Sequence, residues 1–164
     1  MRLPSLLTAA AFALLAHCPL AQAQQPAPAT MEIAQPWSRA TPAAAPVGAG
    51  YLALTNRGAE PDRLIGGTTE VAARIEVHEM SMDNGVMKMR ELPDGLEVKP
   101  GQTVEMKPGG HHLMLVGLKR GLKEGERFKA QLVFARGGKA EVEFAVQGMG
   151  ASMAPTAGQM HHHH

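Results

Sequence analysis

Short alternating runs, each closed by glycine, proline or asparagine, make up this chain from residue 31 to residue 147, and they leave no window with helical periodicity. "VGAGYLALTN" alternates from Val47 to Leu54, and "RIEVHEM" sets Ile75 and Val77 on one face with His78 on the other. "GLEVKPGQTVEMKPGG" reads as two short strands separated by Pro100-Gly101, and "HLMLVGL" as a buried strand. "RFKAQLVFARGGKAEVEFAV" reads as a hairpin turning at Gly137-Gly138, with Phe128, Ala130, Leu132 and Phe134 alternating against mostly polar neighbours. About nine strands at this spacing predict an all-β, single-domain antiparallel sandwich or small barrel.

The ends read differently. Arg2, an apolar run from Leu6 to Ala16 and the small-x-small triplet Ala21-Gln22-Ala23 predict a signal peptide over 1–23. Residues 24–30, "QQPAPAT", predict a flexible linker, 31–147 the folded domain, and 148–164 a disordered tail rich in Met and His. Export follows. The apolar run is too short to span a bilayer, and no membrane span is expected later.

Cys18 is the one cysteine, and it is read as signal-peptide filler because His17 is too large for a lipid-attachment motif. Its removal leaves no thiol, which excludes disulfides, thiolate nucleophiles, iron–sulfur clusters and cysteine-ligated zinc or copper. A formal net charge of +1 argues against nucleic acid or an anionic membrane as partner. The sequence holds no Ser/His/Asp pattern and predicts no acid/base carboxylate pair near the histidines, so no enzyme is expected; Asp83 and Glu79 are read as turn and solvent-face residues.

The informative stretch is "HEMSMDNGVMKMR", residues 78–90. Asn84-Gly85 predicts a two-residue type I′ turn. Asp83 then faces Val86, Met82 faces Met87, and Met80 faces Met89, with His78 diagonal to Met89. Thioethers often pack as core, but here Glu79, Ser81, Lys88 and Arg90 occupy the opposite parity, and a histidine shares the methionine face. "GGHHLML" supplies a second half-site. In a strand His112 and Met114 point one way, while His111 and Leu113 point the other. The expected metal ligands are therefore His78, Met89, His112 and Met114, with Met87 competing for Met89 and His111 for His112. Thioether and neutral imidazole donors without thiolate or carboxylate favour Cu(I) over divalent ions. Proton competition at the imidazoles should weaken binding as pH falls through about 6.5.

"AQPWSRATP", "GAGYLALTN", "HEMSMDNGVMKMR" and "PGGHHLMLVGLKRGLKEGE" together resemble the PCuAC family of periplasmic copper chaperones, from about Trp37 to Val146. The resemblance implies a cupredoxin-like Greek-key barrel, a periplasmic location and delivery of Cu(I) to the copper A centre of cytochrome c oxidase. It implies as acceptor an apo cytochrome oxidase subunit or another copper chaperone. The family's His, Met and His-x-Met motif carries over to His78, Met89, His112 and Met114; its spacing falls one residue earlier, on His111, while strand parity favours His112. Rival readings are a copper buffering or resistance protein and a non-metal interaction module with an adhesive Met-rich face. In the tail, Met149, Met153, Met160 and His161 to His164 form a second cluster, read as native in preference to an expression tag, whose imidazoles would suit Cu(II).

Overall fold

The computed structural model describes residues 30–155. Ten strands follow one another: β1 (Met31–Arg39), β2 (Val47–Asn56), β3 (Asp62–Thr69), β4 (Ala72–Asp83), β5 (Val86–Glu91), β6 (Leu96–Val98), β7 (Thr103–Met106), β8 (His111–Leu118), β9 (Arg127–Phe134) and β10 (Gly138–Gln147). No helix occurs among the described residues. The signal-peptide and linker readings over 1–29, Cys18, and the tail cluster Met160 and His161 to His164 lie outside them.

The strands run in the order β4-β8-β2-β1-β10-β9-β3, and the pairing of Gly67 on β3 with Ile75 on β4 closes them into a ring of seven. Closure removes the sheet edges that an open sandwich would expose. At the closure only glycine fits: a Cβ on Gly66 would stand 2.8 Å from the Ile75 carbonyl oxygen, and one on Gly67 would stand 2.5 Å from that of Gln131. The interior is filled by the inward parity of each strand, including Leu54, Leu64, Leu113, Leu115 and Leu132. Phe128 and Phe144 stack across β9 and β10 with ring centroids 5.2 Å apart.

The differences from expectation have local causes. β1 and β3 were not legible as strands. β1 shifts register between Ala34 and Trp37, where Gln35 takes φ 51 beside Pro36, so its alternation is broken. β3 contains the Gly66-Gly67 pair, which lowers its strand signal. β1 pairs with β10 in parallel, so the sheet is not purely antiparallel. The β9–β10 turn takes Ala135 to Gly137, and Gly138, with φ 73, already pairs with Phe134.

Past β10, residues 148–155 of the expected tail touch the barrel at two places, with Met149 and Met153 left exposed. Arg39 Nε donates to the Ala151 carbonyl at 2.7 Å, and residues 152–155 line a cleft with Trp37, Leu52 and Met106.

The three strands that carry the site are β5, β4 and β8. β4 is long: its first half lies in the ring beside β3 and β8, His78 and Glu79 lie between β8 and β5, and beyond Met80 it leaves the ring with β5 alone beside it.

Candidate metal centre

Asn84 (φ 50) and Gly85 (φ 77) both have positive φ, as a type I′ turn requires, and the ladder below them pairs Asp83 with Val86, Met82 with Met87 and Met80 with Met89. This is the expected register. The opposite face is polar, with Glu79 bound to Arg90 at 2.7 Å and Asp83 to Lys88.

On the other side of β4, His78 pairs with His112, Glu79 with His111 and Glu76 with Met114. Directly opposed residues share a face. His112 therefore stands on the methionine face beside His78, with ring centroids 5.7 Å apart. His111 stands on the other face, where its Nε2 lies 3.4 Å from Glu79. Met80, Met89, His112 and Met114 line one hollow, walled by Arg39 and Tyr51. The structure thus places three of the four expected residues around one hollow together with Met80, and sets His78 beside them through its ring contact with His112. Met87 belongs to the next pair outward.

The two imidazoles are held by opposite nitrogens. His112 Nδ1 lies 3.1 Å from the Gly110 carbonyl, which can only accept, so the ring donates there and leaves Nε2 as a lone pair. His78 Nε2 lies 2.9 Å from Glu76 Oε2, so the ring donates to the carboxylate and leaves Nδ1 free. That Nδ1 is the buried side-chain nitrogen or oxygen, among the described residues, that has no hydrogen-bond partner. An orphaned buried acceptor is costly unless a cation completes it. The hydrogen bond from His78 holds the Glu76 carboxyl below its ordinary value, and Arg74 occupies its other oxygen.

Burial lowers the pKa of His112, which is 4% exposed. Its ring is thereby kept neutral, the form in which it can bind a metal. The sign for stability follows. A His whose folded pKa is depressed contributes fully above its unfolded value, near ~6.5, and that contribution is lost as pH falls from there toward the folded value. The metal-free protein should therefore show a lower urea midpoint at about pH 5.5 than at neutral pH. His112→Gln should show a smaller drop. An equal drop in both would remove His112 as the cause.

One expectation is corrected. The sequence reading placed no carboxylate pair near the histidines, yet Glu76 binds His78, Glu91 pairs with it across β5, and the three offer ligand atoms within 4.8 Å of one another. The signal was present: Glu76 lies two residues before His78 and so shares its face.

The family model described as "Putative lipoprotein LpqE-like" matches residues 31–146, from the start of β1 to within a residue of the end of β10. The chain belongs to the LpqE-like family. This LpqE-like protein is 30% identical over 117 residues to "Putative lipoprotein Lxx21020" of Leifsonia xyli subsp. xyli, covering 71% of this chain and 69% of the relative. It is also 30% identical over 112 residues to "Uncharacterized protein RP573" of Rickettsia prowazekii, covering 66% of this chain and 62% of that one.

Among solved structures, the LpqE-like barrel is similar to the copper-bound PCuAC domain from PmoF2, with TM-score 0.62 and 26% identity over 73% of this chain and 93% of that domain. It is similar as well to CuI-DR1885 from Deinococcus radiodurans, with TM-score 0.55 and 30% identity over 76% and 81%. The fold is the cupredoxin-like barrel of the PCuAC domains, as the sequence resemblance implied.

Proposed function

We propose that this LpqE-like protein is an exported Cu(I) carrier that binds one ion through His78, Met89, His112 and Met114. The observation that carries the reading is the facing pair His78 and His112, each with one nitrogen tied back and one left open. The nitrogen left open on His78 is buried without a partner. Two neutral imidazoles and two thioethers form a soft donor set that suits monovalent copper and binds hard divalent ions poorly. Glu76 acts from behind the ring: it fixes the tautomer and raises the basicity of the coordinating nitrogen without supplying a ligand. Likeness to copper-bound PCuAC structures supports the choice of metal, and kinship with lipoprotein-described relatives supports action outside the cytoplasm, in the periplasm.

Transfer proceeds by ligand exchange. Met89 is 52% exposed, so an incoming acceptor can displace it while the buried His112 and the less exposed His78 still hold the ion. The proposed acceptor is the apo copper A domain of cytochrome c oxidase. Mixing the copper-loaded protein with that domain should move Cu(I) onto the acceptor, while the empty protein returns unaltered. Retention of the metal at equimolar acceptor would replace delivery by storage. A Cu(I) chelator in competition tests binding itself: an unchanged chelator spectrum on adding the protein would end the copper reading.

The role of Glu76 has its own test. Glu76→Gln is expected to weaken Cu(I) affinity by about 10- to 100-fold, the range for an orienting group behind a ligand histidine. Chelator competition reads the loss; equal affinity would show that the carboxylate is dispensable.

A further inference from the structure

Three of the hairpin's four methionines remain unexplained by this centre. Met80 and Met89 face one another at the base of the β4–β5 ribbon, and Met82 and Met87 face one another further out. β8 begins at His111, opposite Glu79, so the ribbon beyond Met80 is two-stranded and free on both sides. Met82 is 64% exposed and Met87 50%, and neither contributes to the hydrophobic core. A projecting ribbon that needed only strand stability would carry β-branched or polar side chains there, because exposed thioethers gain nothing from burial and have little strand preference. The ribbon is nonetheless kept in register by the Asp83–Lys88 and Glu79–Arg90 ion pairs on its other face.

We propose that Met82 and Met87, with Met80 and Met89 beneath them, form a second, thioether-only site for a soft monovalent cation. Directly opposed residues place their Cβ atoms about 4.5–5.5 Å apart. The three rotatable bonds of methionine then let sulfurs from both strands close on one ion. The donors are neutral and soft, so the site takes Cu(I) or Ag(I) and rejects hard divalent cations. Successive same-face pairs lie about 6.7 Å apart along a strand. Met80 and Met89 therefore bridge the outer pair and the histidine centre. An ion held at the tip can pass inward by exchanging one thioether at a time, with no change in oxidation state. The direction of that passage rests on the proposed function; binding at the tip does not.

The test uses the full chain with methyl-13C methionine and Ag(I), a redox-inert probe. In the parent, the Met82 and Met87 methyl resonances should shift on addition of Ag(I), at a stage separable from the shifts of the His78 and His112 rings. In the double variant His78→Ala/His112→Ala the Met82 and Met87 shifts should persist. In Met82→Leu/Met87→Leu, which conserves volume, the histidine rings should still shift, and loading from an Ag(I)-chelate should slow several-fold. Met82 and Met87 methyls that do not move in the parent would overturn the tip site and leave the centre standing. Histidine rings that do not move while those methyls do would overturn the centre and leave the tip standing. Should the histidine variant fail to fold, the parent titration alone decides, because each resonance reports its own residue.

Discussion

Cutting His78 back to alanine is expected to lower Cu(I) affinity by at least about 100-fold, the upper end of what is lost when a group merely orients a ligand. The size follows from where the ring stands. His78 lies between His112 on β8 and Glu91 on β5, and its Nδ1 is buried without a partner. The adjacent histidine cannot replace it, because His111 is paired with Glu79 on the opposite face. Met114→Ala should fall in the same direction. His111→Ala and Met87→Leu should each leave affinity within a few-fold of the parent, which separates the facing set from its competitors in sequence. Chelator competition on the purified metal-free variants measures all four. A loss on removing His111 that matched the loss at His78 would mean that β8 presents its other parity to the ion.

Phe144→Ala is expected to cost about 3–5 kcal/mol of fold stability. Phe144 is fully buried and stacks on Phe128 with an interplanar angle of 6°. It also closes the space over Gly50, where a Cβ would lie 3.2 Å from its ring. Truncation leaves a cavity that β9 and β10 cannot collapse into, since each is paired along its length. Domains of this size are stable by about 5–15 kcal/mol, so the loss is a large fraction of the total. Thermal unfolding of the metal-free protein should show a midpoint lower by about 10 °C or more. A shift of only a degree or two would mean that the stacked pair is not part of the cooperative core.

Local chemistry made the hairpin legible. Asn84-Gly85 fixes the turn, the turn fixes the register, and the register aligns Met80 with Met89. Parity distinguishes His112 from His111, because a strand has only two faces. What sequence could not give was which strands become neighbours. That β8 lies beside β4, and that β3 closes the ring through two glycines, depends on contacts among residues far apart in the chain. β1 is not legible because its bulge breaks the alternation that marks a strand. Glu76 is hidden for a different reason: its parity is readable, but its value lies in a hydrogen bond whose geometry no pattern encodes.

The long β4 has a consequence for how cargo would leave. His78 and Met114 sit where backbone ladders run along both flanks, and His112 is buried with its ring tied to the Gly110 carbonyl, whereas Met89 is exposed on β5, which is laced to the rest on one flank only. Fluctuations that fray a sheet begin at such singly tethered margins. The four posts of the proposed cradle would then differ in give, three stiff and one springy, and unloading would start at the springy post.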